Sequence, residues 1–240
     1  MLHLCSGQMG YQAWSRTGLA GAAAIWEDSP AVGPWSPAPE LRRRLRAQFW
    51  GLPEARVADP ELAALAALDR AEAVALWFSE EPWDQLAQLW VVALLHGRES
   101  GRRPRLETVP MRLGGCEVPP AALLKAFEHR RLLTEGDQAQ AARLWDRFQA
   151  EDWPWLWEWH RSSHGLPGLP RLAQALTRVL EDRPPYEPGR TERQVRDLMA
   201  GGIHDLPTMM RALAEREEPY GVAWYGDQVV ARLLAGPAGP

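Results

Sequence analysis

The stretch "ALWFSEEPWDQL", residues 75–86, decides the fold. An apolar run stops at Ser79, meets the adjacent acids Glu80 and Glu81, passes Pro82 and turns into a helical pattern. A short continuous apolar run closed by a turn signal reads as a buried strand. Pro82 suits the first helical position because its φ is already helical and its missing N–H would have no partner there. Asp84 then falls in the first turn, where the helix dipole favours negative charge. A strand, a polar tip and a helix in immediate succession form part of a βαβ unit.

The same unit recurs along the first half of the chain. "MLHLC" is a strand ending at Ser6 and Gly7, followed by a helix over "YQAWSRTG". "GAAAIW" is a second strand, ending at Glu27 and Asp28 and then the turn "SPAVGP". "PELRRRLRAQFWGLP" is a helix in which Leu41, Leu45, Gln48 and Phe49 share a face, and its arginines are expected to form a solvated face. "DPELAALAALDRA" is another, with Asp59 as N-cap and Pro60 at its first position. "RLETVPM" is a fourth strand, weaker than the others. Strands alternating with helices predict an α/β fold, a Rossmann-like short and mainly parallel sheet covered on both faces.

Beyond residue 118 the pattern is almost wholly helical. Thr134 to Asp137 has the form of a capping box. "WPWLWEWH" starts at a proline-marked helix N-terminus and is apolar nearly all round, which implies interdomain packing or a dimer interface. "DRPPYEPGR" reads as a hinge. Three short helices follow, the size of a helix-turn-helix or winged-helix module. The expected divisions are therefore 1–118 (Rossmann-like), 119–189 (helical, with linker) and 190–240 (three-helix module).

Composition narrows the function classes. The net charge is -4, with 46% hydrophobic and 24% charged residues. No part of the chain is basic, which disfavours nucleic acid as a partner, since phosphate neutralisation needs surplus cations. A DNA-binding regulator rests on the helical tail alone. The longest apolar run is too short to span a bilayer. The N-terminus has neither a charged leader nor a long apolar core, and Cys5 and Cys116 are isolated in sequence. A cytoplasmic location follows as the expectation.

In a parallel sheet, ligands bind outside the carboxyl ends of the strands. Three strand-end loops are expected to converge there and to supply the ligand-binding residues Ser6, Gly7, Gln8, Glu27, Asp28, Ser79 and Gln85. Asp28, Glu80, Glu81 and Asp84 are the catalytic candidates. Clustered carboxylates raise one another's pKa and can act as acid and base, or bind a divalent ion through oxygen. The alternative is an ordinary helix start with favourable first-turn acids. "SGQMGYQ" either presents backbone N–H groups to an anion or makes a simple tight turn. His3 and Cys5 share a strand face, but no C-x-x-C or H-x-x-x-H pair completes a metal site, so no metal is assigned and the cofactor is left open. No Walker loop, G-x-S-x-G or G-x-G-x-x-G is present.

Four motifs, "MLHLCSG", "IWEDSPAVGP", "ALWFSEEPWDQL" and "RTERQVRDLMAGG", occur in an order and spacing that resemble the bacterial family catalogued as domain of unknown function 1835, with its C-terminal helical companion domain. The resemblance implies a Rossmann-like N-terminal part and a helical C-terminal part, and carries no activity. It rests on Gly7, Trp26, Asp28, Gly33, Pro34, Trp77, Phe78, Asp84, Gln85 and Leu86. The family's aspartate after the first glycine is Gln8 here, and its Glu-His-Asp after the Trp-Phe pair is Ser79, Glu80 and Glu81. These departures favour a ligand-binding or regulatory protein, with a cleft for a small anionic or nucleotide-like ligand, over a carboxylate-based hydrolase or transferase working with or without a divalent metal; a homodimer is the expected assembly.

Overall fold

The computed structural model describes residues 1–57, 64, 66–68, 70–98, 103–111, 118–162, 165–217 and 226–235. The helix expected to start at Asp59 and Pro60, and Cys116, lie outside them. The chain divides into two compact units, 1–176 and 177–240.

The first unit is built on a five-stranded sheet of order β2-β1-β3-β4-β5. Strands β1 (Leu2–Ser6), β2 (Ala22–Trp26), β3 (Ala73–Trp77) and β4 (Arg105–Thr108) run parallel, as expected. The fifth, β5 (Arg131–Leu132), pairs antiparallel with β4. It is two residues long and too short to leave a periodic signal in the sequence.

Helix α1 (Gly7–Ser15) follows β1, and α2 (Pro39–Trp50) follows β2. Helix α3 (Pro82–His96) follows β3 and is buried along nearly its whole length. Helices α4 (Pro120–Glu128), α5 (Glu135–Gln149) and α6 (Trp153–Ser162) come next. The expected capping box is present: Thr134 caps α5 by accepting from the Asp137 N–H, and Asp137 returns the bond to the Thr134 N–H. Helix α5 packs along α3, and residues 119–176 fall in the same compact unit as the sheet.

On one sheet face Cys5, Ala75 and Trp77 pack against α1 and α4. His3 lies fully buried on that face among Trp14, Trp77 and Phe127. Its Nδ1 accepts from Trp77 Nε1 at 3.0 Å, and its Nε2 lies 3.3 Å from the Ala20 carbonyl. One nitrogen thus faces a donor and the other an acceptor, which fits only the neutral ring. On the other face Trp26 meets Trp90 edge-on at 4.8 Å, and Trp90 stacks on Trp145 at 5.8 Å.

Helix α2 turns opposite to the expectation. Arg42 and Arg46 are buried, whereas Leu41 is 40% exposed. Arg46 pairs with Asp28 and donates to the Val32 and Ser29 carbonyls. Arg42 donates to the Ser36 carbonyl and lies 4.8 Å from the Trp90 ring centre. Hydrogen bonds to carbonyls and an aromatic face outweigh the hydrophobicity of Leu41, which a period count cannot foresee. Helix α6 is also less apolar than it reads: Leu156 and Trp159 are buried, while Pro154 and Glu158 face solvent.

In the second unit α8 (Arg190–Ala200), α9 (Leu206–Arg216) and α10 (Asp227–Ala235) share a core of Val195, Leu198, Met209, Leu213 and Val230. Helix α7 (Leu172–Leu180) contributes Arg178 to this unit. Arg178 is 3% exposed and bonds Glu217, Asp182 and the Thr191 hydroxyl. Asp182 also accepts from Thr191 N at 2.8 Å. The expected hinge is therefore clasped, its two ends held by one buried charge cluster.

Two predictions follow from these burials. Burial holds the His3 pKa below its ordinary value, helped by the N-terminal ammonium and Arg130 and opposed by the Ala20 bond. The unfolded chain takes up the proton first, so stability is full above the ordinary histidine range and falls as the pH drops from there toward the folded value. Urea midpoints across that range should fall, and His3→Gln should flatten the fall. Arg178→Ala, which strands Glu217 and Asp182, should cost about 3–5 kcal/mol, read as lost amide-exchange protection in α8 and α9.

Candidate functional site

The strand tips gather, but around α3 rather than around an open pocket. With the order β2-β1-β3, successive strands leave β1 in opposite directions, so a crevice is expected between the tips of β1 and β3. Here α3 starts directly after the β3 tip and fills it. The Asp84 carboxylate accepts from the Ser6 hydroxyl at 2.5 Å and from Ser79 N at 2.6 Å. The Ser29 hydroxyl donates to the Trp83 carbonyl at 2.7 Å. Three tips are thereby tied to one helix start.

The expected site residues separate accordingly. Asp28 is buried, accepts from Ser29 N and pairs with Arg46. Burial pushes its carboxyl up, and the facing guanidinium draws it back. Burial likewise raises the Asp84 carboxyl, with the Ser6 and Ser79 bonds opposing. Glu80 pairs with Arg171 at 3.1 Å. Glu81 is half-buried, and burial together with the Asp84 and Glu80 carboxylates pushes it up to about 7. Glu27 and Gln8 are exposed. Gly7 sits at φ 59°, a left-handed conformation that glycine adopts without strain, and a Cβ there would touch nothing. Its presence is explained by the turn. Among the described residues no group of three or more His, Cys, Asp or Glu could hold a metal.

The cleft lies one strand further along. It has a volume of about 420 Å3 and opens beyond the carboxyl ends of β3 and β4. Phe78, Val109, Met111 and Leu169 give it apolar walls, and Ser79, Glu80, Gln85, Gln88 and Thr108 supply polar groups. Of the residues expected from sequence, Ser79, Glu80 and Gln85 reach it; Ser6, Gly7, Gln8, Glu27, Asp28, Glu81 and Asp84 do not line it.

Two arginines that sequence reasoning missed also line the cleft, Arg131 and Arg171. Arg131 stands opposite Thr108 in the β4–β5 pair. The turn carrying Arg171 is set by Gly168, whose N–H donates to Asp137 at 3.2 Å and whose carbonyl accepts from the Thr108 hydroxyl at 3.2 Å. A Cβ on Gly168 would run into the Leu133 and Asp137 side chains, so only glycine lets this turn close on the sheet. Neither arginine lies in a motif; the antiparallel return of β5 and the Gly168 turn bring them in. Among the described residues the Arg131 guanidinium has no ion-pair or hydrogen-bond partner.

No family model, curated protein or solved structure matches this chain. No helix among the described residues is long and apolar enough to cross a membrane.

Asp84 is the structural member of this region. Asp84→Ala would leave the buried Ser6 hydroxyl and Ser79 N–H without an acceptor. The expected cost is about 2–4 kcal/mol, measured by urea unfolding of the full chain.

Proposed function

We propose that this protein binds a small anionic, nucleotide-like ligand in the cleft beyond β3 and β4, and acts as a binding or regulatory protein. The observation that carries the reading is Arg131, a cation without a partner among the described residues, on the wall of a mixed polar and apolar cleft at the carboxyl edge of a parallel sheet. Convergent polar groups in an apolar-walled cavity are the usual make-up of a small-molecule site. A guanidinium there supplies a planar fork of donors for phosphate or carboxylate. Arg171, already facing Glu80, is a second cation that an incoming anion could recruit.

The carboxylate-enzyme alternative loses support because Asp28 and Glu80 face arginines and Asp84 holds the strand tips together. Membership of the domain of unknown function 1835 family, supported by the motif order, a cytoplasmic location, supported by the isolated cysteines, and a homodimer, for which the tryptophan-rich segment 153–160 is the candidate interface, belong to the same proposal.

A thermal-shift screen over nucleoside monophosphates, sugar phosphates and divalent ions tests it, because a ligand that binds only the folded state raises the melting temperature. Phosphorylated compounds should raise it. Arg131→Ala should weaken their binding about tenfold, the worth of one charge-assisted hydrogen bond. If no phosphorylated compound shifts the melting curve, the reading is lost.

A further inference from the structure

We infer that Gln85 and Gln88 set the specificity of this cleft, and that its ligand presents an adjacent hydrogen-bond donor and acceptor, the edge of a lactam or nucleobase. The inference rests on the cleft being a ligand site and goes beyond it by naming what the non-anionic part of the ligand must offer.

Both side chains line the cleft and both are more than nine-tenths buried, at 5% and 3% exposure. They stand three residues apart on α3, so they share a helix face. Their amide orientations are fixed by their partners. Gln85 Nε2 donates to the Ser79 carbonyl at 2.6 Å, and that oxygen can only accept. The same Nε2 donates to Gln88 Oε1 at 3.2 Å, so Oε1 is the accepting end of Gln88. A free glutamine can rotate its amide to suit donor or acceptor; these two cannot without breaking the chain of bonds that starts at Ser79.

What is left over is one acceptor and one donor. Among the described residues neither Gln85 Oε1 nor Gln88 Nε2 has a partner, and neither is sealed from the cleft. A buried polar atom that stays unmatched when water is displaced costs free energy. A ligand filling the cleft must therefore offer a donor to Gln85 and an acceptor to Gln88. A sugar phosphate alone has no fixed planar pair of this kind. A lactam has, with its N–H beside its C=O. The apolar walls of Phe78, Val109, Met111 and Leu169 suit the flat faces of such a ring, and Arg131 suits an attached anion. A site that matches a ligand's polar groups rejects analogues lacking them far more strongly than it rejects a missing methylene.

The test uses calorimetric titration of the full chain with three probes: uridine 5′-monophosphate, its 3-methyl derivative and ribose 5-phosphate. Uracil is chosen because its N–H is flanked by a carbonyl on each side and so meets the pair in either order. The expected result is that the uridine nucleotide binds at least about tenfold more tightly than either other probe. Gln85→Met, which keeps the volume and removes the acceptor for the uracil N–H, should bring the uridine nucleotide and its 3-methyl derivative to equal affinity, whereas Gln88→Met, which removes the donor to a uracil carbonyl, should weaken both alike and leave their ratio unchanged. Equal binding of all three probes to the unaltered protein would overturn the edge-reading role while leaving the anion site standing. No binding of any probe would overturn both. A preference for uridine over its 3-methyl derivative that survives Gln85→Met in a folded protein, or an affinity for both nucleotides left unchanged by Gln88→Met, would overturn the assignment to this pair.

Discussion

A single buried carboxylate organises the carboxyl edge of the sheet. Asp84, in the first turn of α3, accepts from the β1 tip through Ser6 and from the β3 tip through Ser79. The neighbouring Trp83 carbonyl holds Ser29 beyond β2. Parallel strands need long crossovers, so their tips have no short covalent link to hold them in register. Here hydrogen bonds to one helix start supply it. The same bonds close the crevice between β1 and β3, and the open cleft lies instead between β3, β4 and the short return strand β5.

Charge in this protein works largely inside it. Arg46 neutralises Asp28 and Arg178 bridges Glu217, Asp182 and Thr191, all at low exposure. Removing one member of such a group strands the others, whereas a planar guanidinium can satisfy several oxygens at once. That property fits a chain in which Lys125 is the single lysine. It also separates the arginines by setting: those engaged by several oxygens or aromatic faces hold the fold, whereas the Arg131 guanidinium on the cleft wall has no such partner among the described residues.

The sheet was legible because β1 to β3 carry continuous apolar runs closed by polar tips, and they lie where those runs fall; β4, over Arg105–Thr108, left a weaker signal. The capping box at Thr134 was legible for the same local reason. Features set by distant partners were not. The buried face of α2 depends on Asp28 and Trp90, far from it in sequence, so the leucine spacing pointed the wrong way. Strand β5 has two residues and no period. Arg131 and Arg171 reach the cleft only through β5 and the Gly168 turn. "DRPPYEPGR" has the composition of a hinge, yet the bonds from Arg178 and Asp182 to residues on either side of it are invisible to composition. Of the candidate site, Ser79, Glu80 and Gln85 came from the strand-tip rule; the cations did not.

The aromatic layer beside α3 has an optical consequence. Trp26, Trp90, Trp35 and Trp145 lie within 4.8 to 5.9 Å of one another in successive pairs, some edge-on and one nearly parallel. Indole transitions held that close at fixed angles couple, and a chiral array of coupled chromophores gives strong near-ultraviolet circular dichroism. That signal vanishes when side-chain packing loosens even if helices persist. The protein therefore carries its own spectroscopic gauge of how α3 and α5 are locked together, with no label attached.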